Sequence, residues 1–456
     1  MAEEIKYSGE EIEELNSMAS NHLFMHAMQT NDWVKDGLSM YQEGDGCWVT
    51  DIQGNKYLDM MGGLWYKSSG YGQQEIADAV YKQISTMSSP PAYSTTPSTV
   101  KLSAEVAKLY QDKNCRIFFT SGGSESVETA VKMAKKYQHL TGKQKAFKVI
   151  SRRFSYHGST SMAVSLGRAS YSDPMGPEMI GTVYVPNYDA YRPPIPGNPS
   201  PDEISEWLVK ELETTIIHND PETIAAFIAE PVSTSAGIHI APDSYWQGIR
   251  EITEKYGILM IADEVITGYG RLGEWFGTMV WDVTPDLTTT AKALTSGYAP
   301  LGAVIATEKV ANAFLGGKKE TFSHLITFGG HPVSTAAGLA NLKIMKEQKM
   351  VENAKEMGSY LFDRLQELKK GKLKNLCLNN KIFVDGSHNP LGAKVLNKYL
   401  ESLNCNKHII IGMMSNKEHK EYVNYFKNVT SLTTVDIPNQ PNAIDGIELK
   451  LSLIHI

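Results

Sequence analysis

Cysteine is scarce in this sequence of 456 residues: Cys47, Cys115, Cys377 and Cys405 lie far apart, and none has a CxxC partner or a histidine at zinc spacing. This pattern indicates free thiols in a reducing compartment and predicts no metal site. No apolar run approaches the roughly 20 residues that cross a bilayer. The acidic N-terminus has no apolar segment of a secretory signal. We therefore expect a cytoplasmic, soluble protein with no membrane partner.

A basic surplus is also lacking, since the formal net charge is −7. Proteins that bind nucleic acids usually carry a basic face, so we expect no nucleic-acid partner. The sequence contains no GxxxxGK[ST] loop of the kind that holds nucleotide phosphates. An ATP-dependent ligase is one enzyme class that needs such a nucleotide site, and the missing loop is an argument against it.

Short apolar runs alternate with helical stretches from about residue 115 onward. We expect strands at Cys115–Phe119, Ala146–Ile150, Ile224–Ala229, Ile258–Ala262 and Leu287–Thr290. Alternation of this kind predicts an α/β fold whose central sheet is mostly parallel and carries helices on both faces. Because the chain is too long for one ordinary core, we expect two or three domains.

The two flanks of this region have their own patterns. The first 45 residues are expected to form a helical arm, and Cys47–Asp51 with Lys56–Asp59 a hairpin around Gly54. Apolar residues recur at helical spacing from Glu75 to Met87. Further long helices are expected at Ser334–Glu347 and Val351–Lys370.

The first candidate for chemistry is the small-residue segment Thr120–Ser124, between a predicted strand and a predicted helix. Small residues let backbone N–H groups approach an anion, and the helix N-terminus adds positive potential. The segment is therefore a candidate phosphate site. An ordinary turn in which Ser124 caps the helix explains the same residues.

Two further candidates follow predicted strands. Tyr156 stands in Tyr156-His157-Gly158 and offers a flat ring that can stack on a heteroaromatic ligand. Glu230 closes Ile224–Ala229 and can hydrogen-bond a ligand or orient another side chain. A half-buried tyrosine and a loop acid are the simpler explanations of these two residues.

Asp263 and Lys292 complete the set. A carboxylate at the mouth of a buried strand is costly unless it is paired, and the pyridinium nitrogen of pyridoxal phosphate (PLP) is one suitable partner. A desolvated lysine has a lowered pKa and becomes a nucleophile. A loop cap explains Asp263 equally well, and a lysine that reaches solvent is the simpler explanation of Lys292.

Taken together, these residues give a phosphate site, a stacking ring, an acid for the ring nitrogen and an amine, each after a strand. In open α/β sheets this edge is where ligands bind. PLP requires all four roles, so the combination predicts a PLP enzyme.

The sequence then resembles the class III aminotransferases, which are PLP enzymes of fold type I. The resemblance covers about residues 20–369 and rests on Asp263–Gly273, on Ala291-Lys292 with Ser296–Gly302, and on Gly44–Asp59, Ser121–Lys132 and Thr327–Asn341. Gly63-Leu64-Trp65 is similar to the subgroup that moves amino groups between ω-amino acids or amines and pyruvate. The resemblance implies a small domain that includes residues 1–60 and a large PLP-binding domain over 61–335.

The resemblance implies roles around the cofactor. Gly123 and Ser124 would hold the phosphate, and Tyr156 and Val265 would lie against the two faces of the ring. Catalytic roles would fall to Lys292, Asp263, Tyr156 and Glu230: Lys292 would bond to the cofactor and move the substrate proton, and Glu230 would steer the nearby hydrogen bonds.

The resemblance also implies a partner and a substrate pocket. Thr327 would reach the phosphate bound by the other subunit, which implies a homodimer. Trp65 and Tyr66 would line the pocket for a small-molecule amino donor and a keto acid acceptor.

The C-terminal part departs from this pattern near residue 370. Residues 336–369 would begin a C-terminal small domain that is largely missing, and no arginine follows Arg364 to hold a substrate carboxylate. Gly371–Lys374 and Val384–Pro390 instead resemble the C-terminal domain of folylpolyglutamate and dihydrofolate synthases, of the Mur-ligase type, with a strand at Ile409–Met413. We expect an α/β fragment of that type over 370–450, in a chimeric chain or a natural fusion, and the tail 451–456 resembles a translated adaptor.

The leading interpretation is a PLP-dependent transaminase. A decarboxylase, a racemase or an aminomutase on the same scaffold is the alternative within PLP chemistry. A chain that binds PLP without turnover is another alternative, because its last domain departs from the family.

Overall fold

The chain folds into two compact units, Met1–Leu361 and Phe362–Ile456, in a computed structural model. The structure describes residues 7–167 and 179–367, and beyond them only 394, 397–398, 401, 408–411, 426 and 429–434. Within those residues, no helix has the length and apolar character that a membrane span requires.

The described helices alternate with strands through most of the first unit. In chain order they are α1 (Gly9–His22), α2 (Thr30–Asp36), α3 (Gly62–Trp65), α4 (Gln74–Thr86), α5 (Pro97–Leu109), α6 (Gly123–Leu140), α7 (Ser161–Ser165), α8 (Pro201–His218), α9 (Asp243–Lys255), α10 (Glu308–Asn312), α11 (Pro332–Glu347) and α12 (Met350–Glu367). The expected helices at Glu75–Met87 and Ser334–Glu347 are confirmed. The one at Val351–Lys370 is confirmed as far as Glu367, beyond which it lies outside the described residues.

An N-terminal antiparallel sheet joins β1 (Tyr41–Asp45), β2 (Trp48–Asp51) and β3 (Lys56–Leu58). The predicted hairpin is confirmed, because β2 and β3 pair antiparallel. The prediction of a helical arm through residue 45 is wrong over β1. That segment pairs with β2 from Tyr41–Asp51 to Asp45–Trp48, and these cross-strand hydrogen bonds make it a strand.

The central sheet contains seven strands in the order β4-β10-β9-β8-β7-β5-β6. These strands are β4 (Arg116–Thr120), β5 (Lys148–Arg152), β6 (Thr182–Val185), β7 (Ile224–Ala229), β8 (Leu259–Asp263), β9 (Leu287–Thr290) and β10 (Gly302–Ala306). The five strands expected from the sequence are all present. The sheet is mostly parallel, as in the pairs β5–β6, β5–β7, β7–β8 and β8–β9.

Strand β10 is the exception, because it runs antiparallel to both β4 and β9. The sequence prediction did not include this strand. Its direction depends on how the chain turns back into the sheet after Lys292, and side-chain composition carries no such information. The mostly parallel sheet that the sequence predicts is confirmed, and β10 is the strand that makes it mixed.

Helices cover both faces of this sheet, as predicted. On one face Leu208 of α8 and Trp246 of α9 pack in a cluster with Phe227 of β7. On the other face Val131 of α6 packs in a second cluster with Ile228 of β7. Neighbouring residues of a strand point to opposite faces of the sheet. A single strand such as β7 therefore packs against helices on both faces.

The parallel strands all end at one edge of the sheet. Thr120, Arg152 and Asp263 are the last residues of β4, β5 and β8, and Glu230 and Ala291 follow β7 and β9 directly. The topology alone therefore gathers the residues that come after these strands into one region, where the candidate site lies.

The second unit contributes one described strand pair. Strand β11 (His408–Ile411) pairs in parallel with β12 (Ser431–Thr434). The expected strand at Ile409–Met413 is confirmed as far as Ile411. The remainder of that strand, and most of the segment 370–450, lie outside the described residues, as does the tail 451–456.

Candidate active site

Lys292 follows β9 and begins a short 3₁₀ turn that ends at Leu294. Its backbone φ is 44°, in the left-handed region that side-chain-bearing residues seldom adopt. The side-chain Nζ lies 5.5 Å from the centre of the Trp65 ring. A strained backbone that is held in place by packing is typical of functional positions.

The electrostatic environment of Lys292 favours a neutral amine. Burial lowers the pKa of Lys292 to about 8, and the positive charge of Arg271 acts in the same direction. The negative charge of Asp263 opposes this effect without cancelling it. A substantial fraction of the amine is therefore unprotonated and nucleophilic near neutral pH.

Asp263 ends β8 and is held by three bonds. Its Oδ2 lies 2.7 Å from Nδ1 of His157, which is placed to donate to it. Its Oδ1 accepts the hydroxyl of Thr289 at 3.0 Å and the backbone N–H of Val265 at 3.2 Å. These bonds fix the plane of a buried carboxylate and offset part of the cost of its burial.

His157 is the partner that sequence reasoning named without a role. Burial acts to lower the pKa of its imidazole, but the negative charges of Glu230 and Asp263 outweigh that effect and raise the pKa above the ordinary value. The side chain is fully buried. His157 thus presents a proton to Oδ2 of Asp263.

Glu230 and Tyr156 are connected through the backbone. The Glu230 carboxylate accepts the backbone N–H of Tyr156 at 3.1 Å and pairs with the guanidinium of Arg152 at 2.9 Å. Burial acts to raise the pKa of Glu230, but His157 and Arg152 together hold it below its usual range. Glu230 is therefore a buried anion that anchors the turn carrying Tyr156.

Gly123 and Ser124 open the 18-residue helix α6. The first N–H groups of a helix have no intrahelical acceptor and point out of its end, toward an incoming anion. A Cβ at Gly123 would come within 3.0 Å of the Val265 side chain, and one at Gly158 within 2.4 Å of the Ser124 hydroxyl. Only glycine lets these segments approach so closely.

These residues surround one cavity of about 170 Å³. Most of the predicted site residues line it: Gly123, Ser124, Tyr156, Glu230, Asp263, Val265 and Lys292. The cavity combines a helix N-terminus, an aromatic ring, a buried carboxylate and an amine of lowered pKa. These groups fit the phosphate, the ring, the ring nitrogen and the aldehyde of PLP.

Other lining residues carried no prediction, among them Leu64, Val232 and Thr267. Apolar residues in loops after strands give no sequence pattern that distinguishes a cavity wall from ordinary packing. Leu64 is the exception, because it stands within the Gly63-Leu64-Trp65 segment that the sequence already singles out.

Three predicted residues do not line this cavity in the single chain. Trp65 lies beside it, with its ring centre 5.5 Å from the Nζ atom of Lys292. The Tyr66 ring packs so closely on Gly297 that a Cβ there would come within 2.5 Å of it. Thr327 is exposed.

The comparisons with known proteins agree with this chemistry. The aminotransferase class-III family matches residues 30–376. A putrescine–pyruvate aminotransferase from Pseudomonas aeruginosa is 39% identical over 336 residues, which are 73% of this chain and 73% of that protein. A vanillin aminotransferase from Capsicum annuum is 37% identical over 343 residues, 72% of this chain and 73% of that protein.

The chain belongs to the class III aminotransferases. It is a PLP-dependent transaminase. Solved structures agree with the fold of this aminotransferase. An (S)-enantioselective omega-transaminase from Thermomicrobium roseum matches with a TM-score of 0.75 and 36% identity, over 81% of each chain. The omega transaminase of Pseudomonas jessenii in complex with PMP has a TM-score of 0.74 and 31% identity, over 78% of this chain and 80% of that one. The fold is thus that of a fold type I PLP transaminase.

The lowered pKa of Lys292 predicts a pH dependence for cofactor capture by this aminotransferase. Only the neutral amine attacks an aldehyde, so the rate constant for PLP capture by cofactor-free protein should rise through pH 8 and then level off. An ordinary lysine, with a pKa near 10.5, would give a rate that rises over the whole range. Stopped-flow absorbance from about pH 6 to about pH 10 measures this. A rate still climbing at the upper limit would contradict the lowered pKa.

Proposed function

We propose that this aminotransferase moves an amino group from an ω-amino acid or an amine to a keto acid such as pyruvate. The observation that carries the proposal is the placement of the Lys292 amine and the buried Asp263 carboxylate on the wall of one cavity. The names of its relatives support the substrate class, since one acts on putrescine and pyruvate and others are omega-transaminases.

In the proposed reaction, bound PLP supplies an aldehyde that condenses with amines and a protonated ring that accepts the electron pair released at the substrate carbon. Lys292 would hold the cofactor covalently until the amino donor displaces it, and the amine set free in this way would take the proton from the substrate carbon. Its lowered pKa suits this task, because a base titrating near the working pH is both available and able to accept a proton. Lys292 would return the proton as the amino group passes from the donor to the cofactor.

Asp263 would accept a hydrogen bond from the ring nitrogen and keep it protonated. The bond from His157 leaves the Asp263 carboxylate fixed in its plane and facing the cavity. Gly123 and Ser124 would bind the phosphate through backbone N–H groups at the start of α6. Tyr156 and Val265 would hold the ring from its two faces, and Glu230 would orient Tyr156.

The amino donor would enter beside Trp65 and Tyr66. Trp65 stands next to Lys292 and thus next to the reacting carbon. The donor and the acceptor would use the same pocket in turn, because the transfer has two half-reactions. Specificity would then depend on the shape that these two rings give the entrance.

We propose that the enzyme is a homodimer in which Thr327 reaches the phosphate held by the other subunit. Thr327 is exposed and stands in a segment with two exposed large apolar side chains, Leu325 at 68% and Phe328 at 64% exposure. Clustered exposed apolar side chains are typical of protein interfaces. Sedimentation equilibrium should give twice the mass of the chain, and Thr327→Ala should weaken PLP binding. A monomer that binds PLP normally would contradict this assembly.

Transfer of a labelled amino group tests the proposed reaction. Purified protein with PLP, pyruvate and ¹⁵N-putrescine or ¹⁵N-β-alanine should form ¹⁵N-alanine. With a chiral α-amino acid as the only substrate, release of carbon dioxide would favour a decarboxylase and formation of the other enantiomer a racemase. Formation of ¹⁵N-alanine from ¹⁵N-β-alanine without pyruvate would favour an aminomutase. PLP binding without any of these products would identify a chain that binds cofactor and does not turn over.

We propose in addition that the C-terminal part has a different origin, with a Mur-ligase-type fragment over 370–450 after the large domain 61–335 and the start of a small domain at 336–369. The family match ends at residue 376, which supports a change of origin near there. Sequencing the genomic locus across codons 360–380 tests the idea of a chimera. One continuous read through that point would favour a natural fusion. The cytoplasmic location stays a prediction from the sequence.

A further inference from the structure

The turn from Arg152 to His157 follows β5 and carries two side chains that line the cavity, Tyr156 and His157. Within it Phe154 has a φ of 64°, although it is a bulky residue and 64% exposed. A left-handed aromatic residue persists only where its surroundings hold the turn in place. We therefore looked for contacts that stabilise the backbone conformation of this turn.

The carboxylate of Glu230 stabilises this conformation, because it bonds to residues at both ends of the turn. One oxygen pairs with the Arg152 guanidinium at 2.9 Å, and the other accepts the backbone N–H of Tyr156 at 3.1 Å. The same Arg152 nitrogen also donates to the backbone carbonyl of Glu230. The ends of β5 and β7 are thus tied together through one guanidinium.

Arg152 has no freedom to reach any other anion. It is 2% exposed, and its guanidinium lies 5.7 Å from the ring centre of Trp246. The charged groups that act on Glu230 are Arg152 and His157. Removing Arg152 would leave a buried carboxylate without its ion-pair partner, and a buried anion in that state reorganises or takes up a proton.

We propose that Arg152 is a positioning residue for the cofactor: through Glu230 it fixes the stacking ring of Tyr156 and the contact of His157 with Asp263. The proposal rests on the proposed function of the cavity. Arg152 itself does not line the cavity, so its effect on the ligand would be transmitted through Glu230 and the turn.

The test compares Arg152→Met, Arg152→Lys and a matched control, Arg250→Met. Arg250 is also largely buried and pairs with buried Asp286 at 2.7 Å, away from the cavity. Three quantities are measured on each variant: the PLP dissociation constant, the circular dichroism of the visible cofactor band per bound cofactor, and the Tm. The dichroism reports how rigidly an achiral ring is held by its asymmetric surroundings.

We expect Arg152→Met to weaken PLP binding by about tenfold, the order of one lost charged hydrogen bond, and to reduce the dichroism of the cofactor that still binds. Arg152→Lys keeps the charge but not the fork of the guanidinium, so it should bind PLP more tightly than Arg152→Met and more weakly than the wild type. Arg250→Met should lower the Tm and change neither cofactor readout, which separates positioning from general stability.

Folded Arg152→Met with the affinity and dichroism of the wild type would overturn the inference. If Arg152→Met does not fold, Arg152→Lys is compared with Arg250→Lys. A single ammonium cannot reproduce the fork of a guanidinium, so weaker binding only in Arg152→Lys supports the inference, and equal binding in both overturns it. Wild-type protein that binds no PLP would instead refute the proposed function of the cavity.

Discussion

Replacing Lys292 with alanine is expected to lower the rate of amino-group transfer by about 10²–10⁴-fold, the usual contribution of a positioned acid–base group. The variant loses both the amine that holds the cofactor and the base that moves the substrate proton. PLP should still bind through the start of α6 and through Asp263, although no longer covalently. The measurement is steady-state formation of alanine, with PLP content determined in the same samples.

Lys309→Ala is the matched control for this prediction. Lys309 also follows a strand of the central sheet, but it is 58% exposed and pairs with Asp286 at 2.9 Å, outside the cavity. Its replacement should leave the rate within about a factor of two, because the exposed ammonium lies outside the cavity and an exposed charge contributes little. Equal rates in Lys292→Ala and in the wild type would show that Lys292 has no catalytic role.

Asp263→Asn is expected to lower the rate by about 10²–10³-fold, comparable to the removal of one preorganised group at a reacting centre. The amide keeps the shape of the carboxylate and its contact with Thr289, but it carries no charge to keep a ring nitrogen protonated. The pKa of His157 should also fall, because Asp263 is one of the charges that raise it. The rate at saturating substrate and the visible spectrum of the bound cofactor are the measurements.

Asp286→Asn provides the comparison, since Asp286 is an equally buried carboxylate at the start of β9. It pairs with Arg250 and Lys309 and accepts the backbone N–H of Met260, so its replacement should reduce the free energy of unfolding. Its effect on the rate per bound cofactor should be small. An Asp263→Asn enzyme as fast as Asp286→Asn would show that the charge of Asp263 is not used.

Much of the site follows from the sequence because it depends on local order. A residue directly after a parallel strand must lie at the carboxyl edge of the sheet. Asp263 and Lys292 therefore come to the same edge once their strands are recognised. The small residues Gly122 and Gly123 before a helical pattern likewise predict the exposed N-terminus of α6.

The remainder depends on contacts between distant segments, which composition does not encode. The Arg152–Glu230 pair joins residues 78 positions apart, and each residue alone has the appearance of an ordinary strand-end charge. The reversed strand β10 depends on the path of the chain after Lys292. In the same way β1 owes its conformation to its partner β2.

Borohydride reduction of the PLP-loaded protein, followed by peptide mass mapping, tests the central claim most directly. Reduction makes the bond between cofactor and lysine permanent, so the modified residue can be read from a single peptide. We expect one phosphopyridoxyl group per chain, on the peptide that contains Lys292, and loss of the visible absorbance band. A folded, PLP-treated protein that carries no such group, or carries it on another lysine, would contradict the account.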